Sequence, residues 1–296
     1  MNDFRDALAD RLRSLPRMMP HPRAVRGIVT VAGGRLYFRL WWHLAYVLRG
    51  LGCTLPLELW HLGGSEMDVE MAKAAADLGA TVIDATAHAE AHGHEPPAGG
   101  WQAKAYAMRH SGFADAMFLD ADQVPARDPT YLFVDPAYLR TGAIYWPDLP
   151  PGRERKHWVP PVAWRNVGLE PQPAARPFES GQMLVNRRRH IASLDVALFL
   201  NDWSDYVYQW VYGDKDTFLL AAHLTNSTYS MPPKNPRWRS PAICQHDMSG
   251  ELVFQHACQA KESIVAGSLI SSLVNRRFAP DAAAALRRRL PHLADR

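Results

Sequence analysis

Cysteine is scarce: three in 296 residues, Cys53, Cys244 and Cys258, an odd number, widely spaced and without a Cys-x-x-Cys pair. That excludes a disulfide framework and reads as small apolar side chains in a reducing compartment. Long apolar runs are also missing. The most apolar stretch, Leu36 to Gly52, is broken by Arg39, His43 and Arg49, short of the ~20 clean apolar residues a membrane-spanning helix needs. The first twenty residues carry Asp3, Asp6, Asp10, Arg11 and Arg13, an amphipathic pattern without the apolar centre of a signal peptide. The expectation is a cytoplasmic chain. Excess charge is absent as well: 33 Lys+Arg against 30 Asp+Glu leaves +3, too little to argue for a nucleic-acid partner, and none is expected. There is no internal repeat, no low-complexity tract and no Gly-x-x-x-x-Gly-Lys-Ser/Thr phosphate loop.

What remains is ordinary globular material, 47% apolar and 21% charged, which excludes a disordered, collagen-like or coiled-coil chain. Ten tryptophans suit sugar rings or bases, although most such side chains simply pack cores. The run Gly27-Ile28-Val29-Thr30-Val31-Ala32 predicts a buried strand ending in the Gly33-Gly34 turn. Apolar residues then recur at three- and four-residue spacing from Leu36 to Leu51, a helix closed by Gly50 and Gly52. Strand Leu57–Leu62, helix Met67–Leu78 and strand Ala80–Ile83 follow, and strand–helix alternation of this kind signals a parallel α/β sheet. Glu90 to Gly100 reads as a loop, Trp101 to Ser111 as a helix and Ala116 to Leu119 as another buried strand. Pro is frequent from Asp128 to Pro177, predicting short strands and long functional loops. Order resumes over Phe178–Asn186 and Asp195–His223. Pro232–Pro241 is a second Pro-rich loop, and the last thirty residues read as a basic helix ending near Arg287-Arg288-Arg289.

The most informative tract is Met117-Phe118-Leu119-Asp120-Ala121-Asp122. Side chains two apart on a strand point the same way, so Asp120 and Asp122 would converge at the carboxyl end of a strand, where open α/β sheets bind ligands. Adjacent carboxylates repel unless a cation sits between them, and a hard divalent ion sharing phosphate oxygens would fit. Taken alone, Asp-x-Asp reads equally as a solvated turn. It is followed by Glu179-Ser180-Gly181-Gln182-Met183-Leu184-Val185-Asn186, then Gly213-Asp214-Lys215-Asp216-Thr217-Phe218, then Phe254-Gln255-His256. In this order the motifs resemble the α-mannosyltransferases related to the fungal Mnn1-type enzymes, a GT-A family of retaining glycosyltransferases, over roughly residues 25 to 262.

The resemblance implies a single GT-A-like α/β domain, its mostly parallel central sheet covered by helices on both faces. Residues 23–262 would form it, with an N-terminal helical extension over 1–22 and a C-terminal basic helical extension over 263–296. It implies Mn²⁺ or Mg²⁺ held by Asp120, Asp122 and His256, and a nucleotide-sugar donor, GDP-mannose favoured. Thr30, Val31 and Ala32 would line the nucleoside pocket, Trp101 and Lys104 would face the donor, and Ser180, Gly181 and Asp216 would flank the transferred sugar. Asp214, Glu179 and Gln182 would serve the anomeric centre and the sugar hydroxyls. The acceptor would be a glycan or glycolipid. The basic C-terminal helix could touch an anionic membrane at its inner face, though a solvated surface is the plainer reading. Similar motif order in the glycogenin and galactosyltransferase-like enzymes leaves a UDP-sugar donor as the alternative. A nucleotidyl- or phosphotransferase and a catalytically inactive sugar-binding module of the same fold are the other readings.

Overall fold

The structure is a computed structural model, described here over residues 2–16, 25–150, 159–259, 261–265 and 273–294. The Pro20-His21-Pro22 break expected before the first strand lies outside the described residues.

Among the described residues, ten strands form two sheets. The large sheet contains β1 (Arg26–Val31), β2 (Leu57–His61), β3 (Ala80–Asp84), β4 (Asp115–Leu119), β6 (Ala143–Pro147) and β7 (Phe178–Asn186), in the order β3-β2-β1-β4-β7-β6. The first four strands pair parallel, and β7 runs antiparallel between β4 and β6. The small sheet, β5 (Gln123–Pro125), β8 (Arg237–Arg239), β9 (Ala242–His246) and β10 (Leu252–His256), is antiparallel in the order β5-β10-β9-β8. The expected single α/β domain with a mostly parallel sheet is what the chain forms.

Helices of eight residues or more are α1 (Asn2–Arg13), α2 (Gly34–Gly50), α3 (Val69–Asp77), α4 (Ala85–His92), α5 (Gly100–His110), α6 (Ile191–Asp202), α7 (Asp214–Leu224) and α8 (Ala279–Arg289). Strand alternation sorts the core into two layers. Ile28, Leu57, Leu59, Met117 and Leu119 face a layer built with α2, α3 and α8. Their neighbours Val29, Trp60, Ala116 and Phe118 face α4, α5, α6 and α7. Each strand is therefore apolar on both faces, as a doubly covered parallel sheet requires.

Local chemistry sets the helix ends. Asp68 and Asp84 cap α3 and α4 by accepting from Met71 N at 2.7 Å and from Thr86 N at 2.9 Å, satisfying donors that a first turn leaves open. Helix α4 was not anticipated: Ala85 to His92 lacks a clean apolar stripe, and its start is marked only by the Asp84 cap. The expected helical extensions are joined to the domain's core. Phe4 of α1 packs on Phe199, with ring centroids 6.0 Å apart, and on Trp203 at 5.5 Å. On the other face Trp42 of α2 donates its indole N–H to the Ala282 carbonyl of α8 at 3.0 Å. Among the described residues no helix is long and apolar enough to cross a membrane.

Candidate active site at the carboxyl edge of the sheet

Strand β4 stops at Leu119, so Asp120 and Asp122 stand in the turn between β4 and β5 rather than on the strand itself. Their convergence comes from that turn, closed by Gln123 N donating to Asp120 O at 3.0 Å, and not from strand alternation as the sequence suggested. Strand β10 pairs with β5 so that His256 lies opposite Gln123, and Ala257 N donates to Asp122 O at 3.0 Å. Two sheet contacts thus carry His256 across a long sequence separation to the Asp-x-Asp turn.

The three side chains meet. One ligand-type atom from each of Asp120, Asp122 and His256 lies within 4.8 Å of the others. His256 Nε2 is 3.1 Å from Asp122 Oδ1 and 3.9 Å from Asp120 Oδ2. Two carboxylates and an imidazole form a donor set suited to Mn²⁺ and tolerable to Mg²⁺. Burial disfavours the charged forms here, but Asp122 and Glu179 outweigh it and hold the imidazole well above its ordinary pKa. Burial likewise opposes ionisation of Asp122, yet His256 and Lys261 pull its carboxyl well below the usual range. Asp120 goes the other way: burial pushes it up to about 6 against the pull of Lys104 and His256.

Behind the triplet lies a second layer on β7. Glu179 Oε1 is 3.1 Å from His256 Nδ1 and accepts from Gly181 N at 2.9 Å, while its Oε2 accepts from Gln182 Nε2 at 2.7 Å. Gln182 in turn accepts from Gln123 Nε2 at 2.7 Å. Gly181 carries no side chain because there is no room for one. A Cβ there would lie 2.7 Å from Gln123 Nε2, 2.8 Å from His256 Nδ1 and 2.9 Å from Glu179 Oε1.

Lys104 joins this layer to α7. Its ammonium lies 3.2 Å from Asp120 and 3.1 Å from Asp214, and donates to Ser180 O at 3.1 Å and Ser180 Oγ at 3.0 Å. Ser180 Oγ donates to Asp214 Oδ2 at 2.9 Å. Burial works against the cation, but Asp120, Asp214 and Glu179 raise its pKa above the ordinary lysine value. Lys104 therefore remains charged.

These groups border an open cleft of about 660 Å³. Of the residues singled out in the sequence, Val31, Ala32, Trp101, Lys104, Asp120, Asp122 and His256 line it. Thr30 is buried in β1 and does not. Glu179, Ser180, Gly181, Gln182 and Asp214 stand one layer behind the wall through the contacts above. Asp216 is buried near them, accepting from Tyr212 N at 2.9 Å. Trp101 is not a core residue: its side chain is 59% exposed. Sequence reasoning missed Tyr37, Tyr212, Cys258 and Lys261 in the lining. Lys261 lies 3.4 Å from Asp122 and 5.1 Å from the Tyr37 ring centroid. A lone lysine five residues after His256 was its only trace in the sequence.

The cleft also receives the first residues of two helices. Gly33 and Gly99 are the N-caps of α2 and α5, neither making a side-chain cap bond, and both line it. Their backbone N–H groups suit an anion.

Alpha-1,2-mannosyltransferase MNN2 of Saccharomyces cerevisiae is 25% identical over 264 aligned positions, covering 76% of this chain and 43% of that protein. Alpha-1,2-mannosyltransferase MNN5 of the same organism is 24% identical over 333 positions, covering 86% and 52%. The chain thus spans about half the length of these relatives. The galactosyltransferase LgtC, solved with donor and acceptor sugar analogs, superposes with a TM-score of 0.49 at 14% identity over 69% of this chain and 73% of that one. Residues 25–164 and 168–259, well over half of the sequence, match the family described as "Mannosyltransferase putative", and the chain belongs to that mannosyltransferase family.

Proposed function

We propose that the chain is a metal-dependent retaining α-1,2-mannosyltransferase that moves mannose from GDP-mannose to a glycan or glycolipid acceptor. The observation that carries this reading is the meeting of Asp120, Asp122 and His256 in a cleft that also holds a buried, charged Lys104. Mannose and the α-1,2 linkage come from the names of the relatives.

Asp120, Asp122 and His256 would hold Mn²⁺ or Mg²⁺. The ion would neutralise the diphosphate as it leaves. The chain's own residues do the rest. The α2 and α5 N-termini and Lys104 offer donors and positive charge where negative charge grows, which is the largest catalytic contribution in such sites. Val31, Ala32 and Tyr37 form the apolar end suited to the nucleoside. Trp101 flanks the transferred hexose.

Asp214 is already paired with Lys104 and accepts from Ser180 Oγ, which makes it a poor nucleophile. Its role in this reading is to fix the sugar end through that network. The acceptor hydroxyl oxygen then attacks the anomeric carbon from the face of the departing diphosphate. The carbon–oxygen bond to phosphate breaks, and the hydroxyl proton passes to the leaving phosphate oxygen, so configuration is retained. The test is nucleotide release from GDP-mannose, UDP-glucose and UDP-galactose with and without Mn²⁺. Mn²⁺-dependent release of GDP supports the reading, preference for a UDP-sugar reassigns the donor, and no release from any of them refutes it.

A further inference from the structure

The cleft wall beyond Trp101 carries an aromatic ring that is presented rather than packed. Tyr212 is 70% exposed, yet it lines the cleft. An exposed ring is usually loose; this one has a cation at its face and an anchored backbone. Its backbone N–H donates to the buried Asp216 carboxylate at 2.9 Å. The Lys215 ammonium lies 4.9 Å from its ring centroid, within cation–π range. That ammonium is itself clamped by an ion pair with Asp148. The next residue, Gly213, has φ of +69° and brings the backbone against Trp101, where a Cβ would lie 3.3 Å from the indole. Trp101 is braced further by the Tyr208 ring at 6.0 Å.

We infer that Tyr212 is a stacking platform for a hexose of the acceptor, placed next to Trp101 along the cleft. Sugar rings present a flat face of C–H groups to an aromatic ring and keep their hydroxyls for solvent, so an exposed but immobilised tyrosine is a suitable partner. Holding the ring in place beforehand lowers the ordering cost of binding. A nucleobase could stack as well, but the contacts separate the two ends of the cleft. Tyr37 is joined through Lys261 to Asp122, whereas Tyr212 leads through Gly213 to Asp214, Ser180 and Lys104. The nucleoside therefore belongs at the Tyr37 end and the acceptor at the Tyr212 end. This inference rests on the glycosyltransferase reading above.

The test uses α-1,2-mannobiose and GDP as probes and needs no turnover, so its failure is distinct from failure of nucleotide release. Mannobiose binding by saturation-transfer NMR, with Mn²⁺ and GDP present, is expected for the wild type. It should weaken about tenfold in Tyr212→Ala and survive in Tyr212→Phe, while the Kd for GDP shifts by less than about twofold. Absence of mannobiose binding in the wild type would overturn the proposal, as would equal binding by Tyr212→Ala. A tenfold loss of GDP affinity with mannobiose binding unchanged would also overturn it, assigning the ring to the nucleoside.

Discussion

His256 Nδ1 lies 3.1 Å from the carboxylate of Glu179, on the side of the imidazole away from Asp122. A ring that donates Nδ1–H to a fixed acceptor presents Nε2 to whatever lies in front of it, which is how ligand histidines are oriented in metal sites. Glu179 is fixed in its turn by Gly181 N and Gln182 Nε2. The first consequence concerns metal affinity. Glu179→Ala should weaken Mn²⁺ binding by roughly 10–100-fold, and Glu179→Gln, which keeps an acceptor for Nδ1–H, by less. Electron paramagnetic resonance of free Mn²⁺ reads both. Wild-type affinity in Glu179→Ala would remove Glu179 from this role.

Asp122→Asn tests the triplet directly. The amide keeps the size and the turn but gives up the charge that faces His256 and Lys261. Transfer should fall on the order of 10²–10³-fold, and Mn²⁺ should no longer raise the melting temperature. Activity within about threefold of wild type would refute the assignment.

Lys104 both borders the cleft and ties its wall together. Its side chain is buried, and it is shared by Asp120, Asp214 and Ser180. Lys104→Ala would leave Asp120 and, one layer behind it, Asp214 without their cation, and breaking buried pairs of this kind costs about 3–5 kcal/mol. We therefore expect a lower urea midpoint as well as lost turnover. A variant that melts like the wild type would show that water reaches those carboxylates.

Gly181→Ala should act on the same layer through volume alone. The new methyl would sit under 3.0 Å from polar atoms of Gln123, His256 and Glu179, so one of these must move. The expected result is a soluble protein with weaker Mn²⁺ binding and a lower melting temperature, by roughly 1–3 kcal/mol of stability. Isothermal titration with Mn²⁺ and thermal denaturation measure the two effects. Wild-type behaviour in both would mean the site is looser than its contacts indicate.

The sequence carried the parallel half of the fold because Ile28–Val31 and Met117–Leu119 are largely apolar on both faces, Leu57, Leu59 and Trp60 mark β2, and glycines close α2 and α3. The Asp120, Asp122 and His256 triplet was legible through the order of motifs. The small sheet was not: β5 and β8 have three residues each, too few for alternation to show. Nor was the role of the β7 residues. Glu179 and Gln182 act on His256 and Gln123 across two sheets, a relationship that only strand pairing creates. Exposure of Trp101 and Tyr212 was equally hidden, since an aromatic residue in sequence does not reveal whether it packs or faces a cleft.

Away from the donor site, at the end of α5 and just before β4, stands a histidine that should govern acid stability. His110 ends α5 with its ring 4.4 Å from Tyr106, 5.0 Å from His94 and 5.4 Å from His88, measured between centroids. Its Nε2 is buried without a hydrogen-bond partner. Burial first, then Arg109, His94, His88 and Arg187, pushes its pKa from 6.5 down to about 3. In the unfolded chain the same group titrates near 6.5. Between these values the unfolded state binds a proton that the native state refuses, so acid shifts the equilibrium toward unfolding. The contribution of this group is complete above the unfolded value and declines as pH falls toward the native one. His110→Phe keeps a ring against Tyr106 and removes the titration. Its stability should therefore fall less steeply than the wild type's as pH drops below 6.5, measured by urea denaturation across that range. Parallel curves for the two proteins would show that the His110 imidazole is protonated in the native state and does not drive acid unfolding.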